Sequence, residues 1–261
     1  MNTRLLLPLI LLLLVTTTGA GAQGMMYCDN SRQGVPFAKD PHVVRLQGRY
    51  LMYYSIPPRK GDKAGGWNIG IAESRDLTLW NKVGEITPQL GADYEKNGLC
   101  APGALVRDGV VHLFYQTYGN HLVPQREVPD GRKDAVCHAT STDGINFVRD
   151  SSNPIFAPIG DWTCGRAIDA EVCFFRGKYF LYFATRDPDF KVQQVGVATA
   201  PAGTDFSRGQ WTQVADSAIL APQLPWERKC IEAPSIAVRG NPLGKAFGRT
   251  FPLQWKARRV E

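Results

Sequence analysis

The sequence predicts an all-β fold built from radially stacked, four-stranded units, and three observations lead there. Aromatic and β-branched runs are short, and no window sustains a long amphipathic helix. The 26 glycines and 18 prolines are scattered along the chain rather than gathered in one linker, as many short strands joined by turns require. One unit of sequence also recurs along most of the chain.

The recurrence defines the elements in order. DPHVVRLQG (40–48), APGALVRDG (101–109), DAEVCFFRG (169–177) and EAPSIAVRG (232–240) align without gaps, each with a lead residue, an apolar stretch and a glycine eight positions on. The first three continue as RYLMYY, VVHLFY and KYFLYF, so each pair reads as a β-hairpin turning at the glycine. A second motif follows each hairpin: IGIAESRDLTLW (69–80), VCHATSTDGINF (136–147) and VGVATAPAGTDF (195–206). It opens with a short apolar strand and ends on an aromatic residue. Two hairpin strands and two more per unit are the content of a propeller blade, which buries its faces on its neighbours.

The lead position carries the chemistry. It holds Asp40, Ala101, Asp169 and Glu232, spaced 61, 68 and 63 residues apart. Equivalent positions on the inner strands of a propeller converge near its axis, so three carboxylates from distant parts of the chain meet in one pocket. That set suits glycoside hydrolysis, in which one carboxylic acid protonates the leaving oxygen and a carboxylate base activates water. Crowded acids also raise one another's pKa. Trp67, Trp162 and Trp226 fall in loops near strand starts and are candidates for stacking on sugar rings, Trp67 and Trp162 foremost. Arg166, three residues before Asp169, is a candidate donor to sugar hydroxyls or a partner for an acid. His42 and His138 read as structural or solvent-facing.

Outside the repeat, residues 1–22 read as a secretory signal peptide: Arg4, an apolar run from Leu5 to Val15, and Ala20-Gly21-Ala22 before the cleavage point. Residues 23–238 form the propeller domain, and the expected mature protein is a secreted or periplasmic monomer, free of the membrane after cleavage. Six cysteines in an exported chain permit disulfides, and their spacing does not choose among pairings. They form no zinc pattern with the histidines, and no cofactor or metal is expected. The net charge of +6 does not mark a nucleic-acid surface, because six Lys/Arg against one acid lie from Arg239 onward. A carbohydrate is the expected partner.

With FAKDPHVV around Asp40, GRAIDAEV around Asp169, KCIEAPSI around Glu232 and IGIAESRDLTLW as a blade motif, residues 37–236 resemble glycoside hydrolase family 43. That family comprises five-bladed propellers of arabinanase and xylosidase type. The resemblance implies inverting hydrolysis of arabinose- or xylose-containing plant glycans, with Asp40 as general base, Asp169 as pKa modulator and Glu232 as general acid. Retaining, invertase-like fructosidases share the propeller and use an Arg-Asp-Pro motif. Arg186-Asp187-Pro188 reads as a loop contributing at most to the pocket rim, and Ala38-Lys39-Asp40-Pro41-His42 does not match their Asn-Asp-Pro-Asn signature.

The pattern departs after Gly240. A strand should follow the turn, but Asn241-Pro242-Leu243-Gly244-Lys245 stands there, and residues 239–261 form a basic tail without strand periodicity. About three blades and the start of a fourth are expected, with the tail read as out of frame. A closed ring of five such units needs roughly ninety more residues. A non-catalytic sugar-binding propeller and an inactive truncated fragment are the competing expectations, and an invertase-like fructosidase is the alternative enzyme class.

Overall fold

The computed structural model describes residues 27–61, 66–119, 127, 133–237 and 254–257. The expected signal peptide lies outside these residues, as does most of the basic tail. Three four-stranded antiparallel meanders follow one another. The first is β1 (Lys39–Leu46), β2 (Arg49–Ile56), β3 (Asn68–Ser74) and β4 (Asn81–Ile86). The second is β5 (Leu99–Arg107), β6 (Val110–Thr117), β7 (Val136–Ser141) and β8 (Val148–Arg149), and the third is β9 (Ile168–Phe175), β10 (Lys178–Arg186), β11 (Gln193–Pro201) and β12 (Thr212–Gln213). β13 (Pro234–Ala237) begins a fourth unit.

Local chemistry explains the hairpins. Their turns are Gln47-Gly48, Asp108-Gly109 and Arg176-Gly177, and all six residues have positive φ, between 48° and 79°. Two consecutive positive φ values define the tight turn whose twist matches the flanking strands. The second motif is equally local. In the first blade Ser74 Oγ accepts from Leu77 N–H, and Asp76 Oδ1 accepts from Thr78 and Leu79 N–H. In the second, Ser141 Oγ accepts from Gly144 N–H, and Asp143 Oδ1 from Ile145 and Asn146 N–H. Each Ser-x-Asp turn leads the chain towards its outer strand.

The core lies between blades. Leu46, Leu51, Tyr53, Ile69 and Ile71 of the first sheet pack on Leu99, Val111, Leu113 and Tyr115 of the second. Phe114 and Val136 of the second pack on Leu181, Phe183 and Ala198 of the third, with Ile155, Phe156 and Phe206 from its loops. Each such side chain contributes about 1.5–3 kcal/mol by burial. The contacts are tight where inner strands meet: a Cβ added at Gly103 would stand 2.1 Å from the carbonyl oxygen of Ala170.

One expectation is corrected. The tail was expected to lack a strand, yet Gln254–Ala257, β14, pairs antiparallel with β13 in the register Pro234↔Ala257 to Ala237↔Gln254. β13 offers an unpaired edge, which any extended segment able to reach it can satisfy. The six cysteines, whose pairing the spacing left open, are unpaired here: Cys100, Cys137 and Cys164 are buried, Cys28 and Cys173 partly buried, and Cys230 exposed.

Candidate active site

A cavity of about 910 Å³ opens where the inner strands begin, and Asp40, Asp169 and Glu232 all line it. The backbone places them. Asp40, Ala101 and Asp169 have φ of 51°, 47° and 52°, in the left-handed region. The inner strands slip register at the same places, between Lys39 and His42, between Cys100 and Gly103, and opposite Tyr182 and Ala184. Each lead residue is therefore part of a bulge that turns its side chain out of the sheet. Aspartate tolerates this conformation better than most residues, which accounts for a carboxylate opening a strand.

The fourth unit is offset by one residue. There the left-handed residue is Ala233, with φ 52°, not Glu232. A repeated latch between blades gives the same answer. The carbonyls of Trp67, Asp134 and Gln193 accept from the N–H groups of Leu99, Ala167 and Ile231 at 2.8, 2.8 and 3.1 Å. Each donor precedes a left-handed residue by two positions: Ala101, Asp169 and Ala233. The gapless alignment set Glu232 equivalent to Asp40 and Asp169; by backbone geometry it is equivalent to Lys39, Cys100 and Ile168. It reaches the same cavity from the neighbouring position.

Each acid has distinct surroundings. Asp40 Oδ2 accepts from Ser55 Oγ at 3.1 Å and pairs with Lys39 Nζ at 3.3 Å. Ser55 Oγ in turn accepts from Ala101 N–H at 2.7 Å, so one buried hydroxyl joins the first acid to the second blade. Asp169 has its pKa raised to about 7 by burial, then by the charges of Asp40 and Glu232, partly offset by Lys39 and Arg166. Glu232 Oε2 accepts from the Gln193 side-chain amide. Two residues beyond Asp169, Glu171 also lines the cavity, 3.6 Å from His42 Nδ1, and burial pushes its pKa up to about 7.

The other expected residues divide. Trp67 lines the cavity, stacked on Tyr118 with ring centres 6.2 Å apart and braced by Phe37. Arg166 lines it too, buried, with Nε 3.2 Å from Asp134 Oδ2. Trp162 was expected to bind substrate but stands outside the cavity. It packs against Phe183, and its indole N–H is taken by the carbonyl of Ile159. Trp226 is 61% exposed and also lies outside the cavity lining. His42 lines the cavity, whereas His138 is buried between His112 and Asp150. Arg186 ends β10 at the cavity, and Asp187 Oδ1 holds the following turn through the N–H groups of Lys191 and Val192.

Gln193 and Lys39 were not singled out from the sequence as site residues, and Arg186, read there as part of a rim loop, is instead the last residue of β10. A signal for Gln193 existed: the second motif, extended two residues backward, aligns Trp67, Asp134 and Gln193. All three bear on the site.

No protein-family model matches the chain. A curated sucrose-6-phosphate hydrolase of Zymomonas mobilis is 28% identical over 158 residues, 60% of this chain and 30% of that protein. The chain thus spans under a third of the length of this relative. Among solved structures, a GH32 β-fructofuranosidase of Bombyx mori superposes with TM-score 0.60 at 17% identity, over 82% of this chain and 40% of that one. A family 117 glycoside hydrolase of Zobellia galactanivorans gives 0.54 at 19%, over 70% and 57%. The chain has the blade architecture of the propeller glycoside hydrolases.

Proposed function

We propose that this chain carries the catalytic centre of a glycoside hydrolase acting on a β-fructofuranoside. The observation that carries the reading is one cavity lined by three carboxylates from three separate blades, with Asp169 responding to the other two. Glu232 protonates the glycosidic oxygen, and Asp40 acts on the anomeric carbon from the opposite side. Asp169, whose proton burial and the Asp40 charge favour, offers a hydroxyl donor to the sugar between them. Trp67 and Tyr118 supply an aromatic wall, and Lys39 and Arg166 fix the local charge.

The fructosyl assignment is supported by relatives named for sucrose 6-phosphate and fructofuranosides, in place of the arabinosyl or xylosyl substrate that the family 43 resemblance implies. It carries a change of mechanism. An inverting enzyme uses the second carboxylate to activate water, whereas a retaining one bonds it to the anomeric carbon. With a fructosyl substrate of the invertase-like kind, Asp40 is the nucleophile, and water releases the sugar with retained configuration.

Incubation of the protein with sucrose, 4-nitrophenyl α-L-arabinofuranoside and 4-nitrophenyl β-D-xyloside tests the substrate, and NMR of the first sugar released tests the course. Turnover of sucrose with β-fructofuranose appearing first is expected. Turnover confined to the arabinoside or xyloside, with inversion, returns the site to the family 43 chemistry. Binding of sugars without turnover of any of the three contradicts catalysis.

A further inference from the structure

Gln193 touches the segment bearing Glu232 at three points. Its backbone N–H donates to the Lys229 carbonyl at 2.8 Å, and its carbonyl accepts from Ile231 N–H at 3.1 Å. Its side-chain Nε2 donates to Glu232 Oε2. The residue is 6% exposed, at the first position of β11. Across the hairpin it pairs with Arg186, whose Nε donates to Gln193 Oε1 at 3.0 Å. That last bond decides which way the amide faces. A reversed amide would set its NH2 against the guanidinium N–H, donor against donor, so Arg186 holds the carbonyl end and leaves only the NH2 end for Glu232.

We propose that Gln193, oriented by Arg186, is the positioning residue that presents Glu232 for proton transfer, an inference that rests on the glycosidase reading above. An amide NH2 only donates, so Oε2 of Glu232 is committed as an acceptor. The proton of the acid form is thereby directed to Oε1, while the Cys230 thiol also hydrogen-bonds the carboxyl. The offset of Glu232 from the repeat makes such a device necessary. Asp40 and Asp169 are aimed by their own left-handed backbone, whereas Glu232 precedes the left-handed residue and depends on a side chain from another strand.

The test separates positioning of an acid from simple support of the fold. Sucrose needs its leaving oxygen protonated, whereas 4-nitrophenyl β-D-fructofuranoside releases a phenolate that leaves without a proton. General acid catalysis contributes roughly 10²–10⁴-fold, so Gln193→Leu is expected to lose about 30–100-fold in kcat/KM on sucrose and less than about threefold on the nitrophenyl substrate. Arg186→Met, which leaves the backbone bonds of Gln193 in place, is expected to show the same split at about 5–10-fold. Equal losses on both substrates, or full activity on sucrose, overturn the proposal. A crystal structure of Gln193→Leu is expected to show the Glu232 carboxyl turned away, and an unmoved carboxyl overturns the proposal whatever the activity. Wild-type protein inactive on both substrates defeats the glycosidase reading, and the crystallographic result then decides the positioning alone.

Discussion

Asp169 pairs a strained backbone with a crowded carboxyl. A non-glycine residue in the left-handed region costs about 1–2 kcal/mol, and the same conformation recurs at Asp40 and Ala101. Such strain persists where surrounding structure over-determines it and concentrates at functional sites. Asp169, moved from 3.8 to about 7, and Glu171, moved from 4.5 to about 7, hold protons in the folded protein that the unfolded chain releases. Where the folded state binds more protons, stability falls as pH rises. The stabilising contribution of these two acids is therefore lost from about pH 4 to pH 7, opposed by His42, His112 and His138, whose pKa values burial lowers. Urea midpoints measured across that range should fall less, or rise more, with pH in Asp169→Asn and Glu171→Gln than in the wild type, and an unchanged slope in both contradicts the raised pKa values. The identity of the three acids and their convergence were legible because residue type and position in the gapless repeat coincide. Gln193 was not, because its contact with Glu232 arises from the offset of the fourth unit, which no gapless alignment displays.

The hairpins are the elements most fully written in the sequence. A glycine at a fixed distance from the lead residue marks each turn, and the preceding residue shares its positive φ. That preceding residue is Gln47, Asp108 or Arg176, and arginine gains nothing from the conformation. Arg176→Asn is expected to raise stability by about 0.5–1 kcal/mol, since asparagine occupies the left-handed region more readily. A urea titration checks it, and destabilisation contradicts the turn geometry. The bulges at the strand starts were not legible, because a bulge is a mismatch between two strands and neither strand shows it alone. Trp162 was misplaced for a related reason. An aromatic residue near a strand start serves the cavity or the core according to loop path, and the Ile159 carbonyl and Phe183 draw it into the core.

At the scale of the molecule, the blades are held by apolar seams and by one repeated backbone latch, and both position the site. Gly103 shows how little slack the seam has, with the Ala170 carbonyl at 2.1 Å from where a Cβ would stand. Gly103→Ala is expected to cost about 1–3 kcal/mol and to lower kcat/KM with it, because Ala170 adjoins Asp169. Loss of stability without loss of activity at a temperature where the variant is folded contradicts the coupling of seam to site. The ring-like order of blades was legible from the repeat, whereas β14 was not, because a strand recruited to an open edge needs no periodicity of its own. The central claim is that acids from three blades act as one catalytic centre. The most direct measurement is kcat/KM on sucrose for the wild type, Asp40→Asn and Glu232→Gln. Turnover by the wild type with a fall of about 10²-fold or more in each variant is the predicted result. Turnover that survives undiminished in either variant contradicts the account.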